Sequence, residues 1–455
     1  MIFFKNKNKA SSIGGPDNSP GDKDLRSNLP LPETPPSVSW QRNLVFVWMA
    51  QFLSIMGFSF GIPFVPYFFQ EELGVKADDL AMWVALFGAA TPLTLAIFSP
   101  VWGALADRMG RRPMLLRAYF GASIILTLMG TVTSPIWLII LRLGQGVLTG
   151  TVTASQALVS THTPNHRSGL ALGSLNSAVF SGALMGAFVG GWTAELFGYR
   201  IAFYFSGFVM LISASLVFFG VKEVFHRPPL PEKSGGIFAG IKPSVGQLKL
   251  ALPILLLMTA VMFARQFDAS FVPLLVQQIH GKIEGAALRT GMLFALCGLA
   301  GVFSGVSLGW LADRVSPGKI GKWSAFFAGL MMLPQAFVWS MGLLFPIRFL
   351  MIFAAGGLDP VLQIWLCKMT PAQSRGLIFG WSATARAVGW VFAPLAGGLV
   401  AGALGIRYIF LIGPFFYFTL IFLISITVKK IESNSGGKVP PDTPVPPEMI
   451  TEKSA

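Results

Sequence analysis

The chain has 455 residues, 53% hydrophobic and only 12% charged, with a mean hydropathy of +0.64 and a formal net charge of +14. Soluble domains carry roughly 25% charged residues, so the composition excludes a soluble globular protein and points to an all-α polytopic membrane protein. The basic residues fall in short loops, where Lys and Arg set orientation, so no nucleic-acid partner is expected. Cys297 and Cys367, each alone in an apolar run, make neither a disulfide framework nor a metal site.

Residues 1–40 are rich in Pro, Ser, Asn and Gly and hold no apolar run of signal-peptide length, so they read as a disordered cytoplasmic tail. About 20 apolar residues are needed per membrane span. Twelve spans are predicted, at 43–69, 81–106, 113–132, 135–158, 169–195, 199–221, 250–278, 288–312, 320–340, 343–366, 376–403 and 406–428. A polar linker, 222–249, separates an N-terminal six-helix half (41–221) from a C-terminal one (250–428), and 429–455 reads as a second disordered tail. Even-numbered loops are basic (Arg108, Arg111 and Arg112 after span 2, Lys319 and Lys322 after span 8). The loop after span 1 is acidic, with Glu71, Glu72, Asp78 and Asp79. By the positive-inside rule both termini are expected in the cytoplasm of a cell-membrane protein.

Gly103-Ala-Leu-Ala-Asp107-Arg108-Met-Gly110-Arg111-Arg112 closes span 2. Gly110 permits a tight turn, and Asp107 at the membrane edge has three arginines within reach. A shorter copy, Gly309-Trp-Leu-Ala-Asp313-Arg314, follows about 206 residues later. Other pairs repeat at an offset of 206 or 207: Arg142 with Arg348, Thr163-Pro164 with Thr370-Pro371, Gly190-Gly191 with Gly397-Gly398, and Gly198 with Gly405. Parallel six-helix halves with a site between them near the membrane midplane are a transporter plan.

Several mid-span residues are candidates. Arg142 is placed inside span 4, with Gln145 on the same face by i,i+3 spacing. It reads either as an inward-facing functional cation or as one snorkelling to the leaflet. In span 7, Arg265 and Asp268 are three apart, on one face, and can pair within the helix. Asp268 then reads as a proton carrier open to a central cavity, or as a neutralised pair at a helix break near Pro273. Asp359, among Gly356, Gly357 and Pro360, is the second proton-carrier candidate. Arg386 in span 11 has no acid within a turn. Trp381 and Trp390 flank it and read as cavity lining or as packing, and span 1 contributes the polar Gln51. Gly182, Gly186 and Gly190 are four apart, with Gly191 beside the last. They read as tight helix packing or as a surface on which the halves rock.

The Gly103–Arg112 signature resembles that of the major facilitator superfamily. Leu138-Ile-Ile-Leu-Arg142-Leu-Gly-Gln145-Gly146 resembles the family's second motif. Gly182-Ala-Leu-Met-Gly186-Ala187-Phe-Val-Gly190-Gly191 resembles the motif of its drug/proton antiporter branch, with Ala187 where that motif has proline; the repeat instead carries Pro394, before Gly397-Gly398. Trp40-Gln-Arg-Asn-Leu44, Ile62-Pro63-Phe-Val-Pro66 and Met82-Trp83 add a likeness to the MdtG-type multidrug exporters. The resemblance implies twelve helices in two pseudo-symmetric halves and proton-coupled export of small amphiphiles by alternating access, with Arg142 assisting proton transfer and Arg386 at a subgroup position. Import or metabolite carriage on the same fold is the alternative, and a non-transporting membrane sensor a remote one.

Span 1 has no acid, so coupling would use spans 7 or 10 or Asp107. Arg142, Arg265 and Arg386 would suit neutral or anionic amphiphiles. No phosphate-binding G-x-x-x-x-G-K-[ST] and no catalytic or metal cluster occurs in the sequence, so neither an ATPase nor another enzyme is expected. The expected partners are substrate, protons and lipid, with a monomeric protein, no cofactor and a proton gradient as energy source. The charged loops 103–112 and 309–314 are read as unequal latches on the inner gate.

Overall fold

The computed structural model describes residues 39–148, 150–163, 167–223, 245–312, 314–358 and 375–434, together with 362, 365 and 366. Most of both tails and of the central linker lies outside that set, as does Asp359. The described chain is helical: α1 (Trp40–Gly61), α2 (Val65–Glu71), α3 (Ala77–Met109), α4 (Arg111–Thr131), α5 (Pro135–Leu148), α6 (Thr151–His162), α7 (Ser168–Phe197) and α8 (Tyr199–Gly220). It continues with α9 (Val245–Gln266), α10 (Val272–His280), α11 (Ala286–Ala312), α12 (Pro317–Met332), α13 (Met341–Ala355), α14 (Arg375–Leu404) and α15 (Ile406–Asn434).

Eight helical stretches are long and apolar enough to cross a bilayer, and Pro135–Leu148, Leu252–Gln266 and Met341–Ala355 are shorter apolar helices. Several helix ends differ from the predicted spans by a few residues or more, and two run into segments read as linker or tail. α9 begins at Val245, inside the predicted linker, and α15 runs to Asn434, into the predicted tail. Both extensions are polar; they add helical turns beyond the apolar stretch from which a span is counted.

Breaks in the helices have local causes. α1 passes through a short 3-10 turn, Ile62–Phe64, into α2, where Pro63 and Pro66 remove backbone donors. α9 ends at Gln266 and the chain turns before α10, which starts with Pro273 in its first turn. Span 4 is divided at Gly150, whose φ of +122° a residue with a side chain would rarely adopt.

α1 packs on α7 and α8, α4 on α8, and α12 on α15. α14 lies between α3 and α9, and α11 packs on α7. Exposed apolar side chains such as Ile97, Phe219, Phe303 and Phe422 cover the outer faces, as they must where the surrounding solvent is hydrocarbon.

The glycine run explains how α1 and α7 meet. A Cβ on Gly182 would lie 2.5 Å from Phe52 O, one on Gly186 2.4 Å from Met56 O, and one on Gly190 2.6 Å from Phe60 Cα. These three glycines therefore pack one repeat internally. Gly191 faces the other way, with Ala287 O at 2.7 Å and Gly291 Cα at 3.1 Å. The second repeat copies both arrangements. Gly389 meets Thr259 O at 2.3 Å and Gly397 meets Phe267 O at 2.5 Å, both on the α9 side, while Gly398 meets Ala81 O of α3 at 3.1 Å. Pro394 adjoins Gly88 of α3, at 3.0 Å from the position of a Cβ.

Candidate functional site

The break between α9 and α10 carries Asp268. Its carbonyl accepts from the backbone N–H groups of Phe271 (2.9 Å) and Val272 (3.2 Å), which fixes the turn. Its carboxylate is fully buried, and Oδ2 accepts from Arg348 Nη1 of α13. The same Nη1 donates to Gln335 Oε1 at 3.2 Å. Gln335 lies in the short turn after α12 and donates its Nε2 to Met331 O at 3.1 Å, which sets the direction of its amide. Asp268 Oδ1 and Arg348 Nε are buried without a hydrogen-bond partner.

Two expectations are corrected here. The ion pair of Asp268 runs between helices, not along α9 to Arg265, because the chain leaves the helix after Gln266 and the i,i+3 geometry is lost. Asp268 is also sealed, not open to a cavity. Phe267 and Phe271 beside it are buried, and the Phe416 ring lies 4.8 Å from that of Phe267. A carboxylate and a guanidinium removed from water hold each other strongly, and loss of either leaves a costly buried charge.

The matching place in the first repeat is built differently. Arg142 of α5 is 9% exposed; Nη1 donates to Gln145 Oε1 and Nε to Phe87 O at 3.4 Å. Its guanidinium lies 4.4 Å from the Phe87 ring centre. The residue therefore faces the interior and does not snorkel. Among the described residues its side-chain contacts are an amide, a carbonyl and a ring, with no acid among them. Gln145 is 1% exposed, consumed by this contact, and so is not placed as an open cavity residue. Gln51 is equally buried. Its Oε1 accepts from Ser155 Oγ (2.8 Å) and Tyr119 OH (3.5 Å), and its Nε2 has no partner.

Arg386 on α14 is half-buried, and no ion pair is formed to it among the described residues. Trp390 is 37% exposed, and Trp381 is half-buried with a buried, unpartnered Nε1.

The Gly110 turn joins α3 to α4 with a φ of +92°. Side chains of Asp107, Arg108 and Asp313 lie outside the description. Arg111 and Arg112 show a use that the motif did not reveal. Their backbone N–H groups donate to Glu223 Oε1 (2.9 Å) and Oε2 (2.8 Å), so a carboxylate from beyond α8 caps the first turn of α4. Arg111 Nη1 donates to Ala157 O of α6, and Arg112 Nη2 to Phe218 O of α8 at 2.6 Å. These described contacts staple α4, α6 and α8 of one repeat together; none crosses to the other. Glu223 was hidden in the sequence because a linker acid 112 positions from Arg111 has no local signal.

The repeats meet at the opposite end. Tyr67 OH donates to Pro273 O at 2.6 Å and lies 2.7 Å from Thr290 Oγ1. Gln70 and Gln277 exchange two amide hydrogen bonds of 2.9 Å each, and Gly285 N donates to Glu195 Oε1 at 2.6 Å. Gln70 and Gln277 stand 207 positions apart, the offset of the internal repeat, and that offset was the available signal. The protein is thus described in a form closed at the Gln70 end.

The profile of the Major Facilitator Superfamily matches residues 47–341 and 323–451. The multidrug resistance protein MdtG of Escherichia coli O81 is 34% identical over 381 residues, covering 84% of this chain and 93% of that protein. MdtG of Salmonella newport is 35% identical over 380 residues, covering 82% and 92%. Among solved structures, the nucleoside transporter NupG superposes with a TM-score of 0.72 at 11% identity, covering 84% of this chain and 99% of its own. With the internal repeat and the buried cations of its apolar helices, these likenesses place the chain in the major facilitator superfamily, as a multi-pass secondary transporter.

Proposed function

We propose that the protein exports amphiphilic drugs or toxic small molecules across the cell membrane in exchange for protons, as a monomer with both termini in the cytoplasm. The MdtG likeness supports multidrug export. The Asp268–Arg348 pair carries the coupling reading: it is the one described ion pair buried on both sides, at 0% and 4% side-chain exposure, and it sits at a helix break.

In this scheme the Gln70 end faces outward, and the form described is closed to the outside. Opening that end requires α2 and α10 to part, and α10 is joined to α9 through the turn that carries Asp268. A proton on Asp268 weakens its hold on Arg348 and frees the turn. Substrate and proton then bias the same two-state equilibrium. Arg265 and Arg386, both half-buried, favour neutral or anionic amphiphiles over permanent cations.

Asp268→Asn reconstituted in proteoliposomes with an imposed pH gradient is expected to lose gradient-driven transport by at least about tenfold while still binding substrate. Undiminished gradient-driven transport by this variant would exclude Asp268 as the coupling group. Strong efflux of permanently cationic dyes with none of anions would overturn the substrate preference.

A further inference from the structure

Arg142 finds its amide acceptor three residues along its own helix, in Gln145. At the repeat offset of 206, the residue corresponding to Gln145 is Met351, so Arg348 has no such neighbour on α13. Gln335 fills that role from a different element, the turn after α12. It is fully buried, and its Oε1 reaches Arg348 Nη1, the same nitrogen that binds Asp268. Its Nε2 is committed to Met331 O, so the amide oxygen is held toward the guanidinium. Arg407 of α15 donates to Ala336 O at 2.7 Å and braces the same turn.

We infer that Gln335 is a positioning residue of the coupling site, the uncharged acceptor that holds Arg348 in place while Asp268 is protonated. The inference rests on the coupling reading above. Its physical basis is competition. A guanidinium buried without an acceptor is costly, so a second, non-titrating acceptor lowers the cost of protonating the first. Gln335 thereby keeps Arg348 in place when Asp268 lets go. Other titratable or charged groups around the pair are Cys297 of α11 and Tyr417 of α15, which act on Arg348 through space. Among the described residues, Arg407 of α15 is the further charged group at the turn that carries Gln335.

Two substitutions should move the pH profile of transport in opposite directions. Gln335→Glu places two carboxylates on one guanidinium, which favours holding a proton, so the profile should shift to higher pH by about one unit. Gln335→Leu removes the amide acceptor and ties Arg348 more tightly to Asp268, so the profile should shift to lower pH, with a reduced maximal rate. A purely structural role for Gln335 predicts lower rates with an unmoved profile.

The test is gradient-driven uptake in proteoliposomes from pH 5 to 9 for the full chain, the two variants and Asp268→Asn. Opposite shifts sustain the inference. Unmoved profiles, or shifts of one sign, overturn it. If Gln335→Leu does not fold, the pH dependence of the thermal midpoint of detergent-purified Gln335→Glu decides. A midpoint curve displaced to higher pH relative to the parent sustains the inference, and a superimposable one overturns it. The coupling reading fails separately, when Asp268→Asn keeps proton-driven transport. A coupling-dead Asp268→Asn together with unmoved Gln335 profiles refutes the role of Gln335 alone.

Discussion

The two repeats use one scaffold for two electrostatic problems. Each buries an arginine at the same repeat position, Arg142 in the first and Arg348 in the second. Each surrounds it with apolar helices and supplies an amide oxygen. Among the described residues, only the second adds a carboxylate. The residue 207 positions before Asp268 is Gly61, and a Cβ there would lie 2.8 Å from the Phe203 ring. In the first repeat an aromatic ring therefore fills the space next to the break, and an acid has no room. Among the described residues, the difference shows how a duplicated bundle becomes electrostatically unequal: one half keeps a neutral-ligand cation, and the other gains an ion pair at its helix break.

The largest expected consequence is in stability. Arg348→Leu leaves Asp268 buried and unpaired, and should cost about 3–5 kcal/mol when unfolding is followed in detergent at neutral pH. Arg142→Leu frees only an amide and a carbonyl, and should cost about 1–3 kcal/mol. Equal losses would erase the distinction between the halves.

A smaller contrast concerns how each repeat starts the helix after its charged loop. α12 is capped locally, by Ser316 Oγ accepting from Lys319 N at 3.4 Å. α4 begins at a glycine with no side chain to offer and takes its cap from Glu223. Glu223→Ala should therefore destabilise by about 1 kcal/mol and loosen the α4–α8 contact, seen as faster amide exchange at Arg111 and Arg112. Ser316→Ala should have a lesser and purely local effect, because its hydrogen bond is long.

The smallest effect is expected where the repeats are most alike. Gln70→Ala removes both amide bonds to Gln277 and should shift the equilibrium away from the form closed at that end by about 1 kcal/mol. A spectroscopic distance probe across α2 and α10 would read this as a several-fold rise in the open population. Gln277→Ala should match it, since the pair is reciprocal; a marked difference between the two would break the symmetry.

Much was legible in the chain itself. Apolar run lengths, basic loops and the 206–207 offset led to a duplicated helical membrane protein because span length and backbone satisfaction in hydrocarbon are local constraints. The glycine spacing foretold close helix contact, and Arg142 with Gln145 could be paired by helical periodicity alone. The partner of Asp268 could not. Periodicity nominated Arg265, three residues away, but the helix ends before Asp268 and the carboxylate turns to a cation 80 positions on. Gln335 and Glu223 were equally invisible, since their partners are fixed by the packing of separate helices. Sequence determined which charges enter the membrane, because burying a charge is rare enough to stand out in composition. Only the tertiary structure decided which charges meet, because that depends on where helices break and which faces they turn to one another.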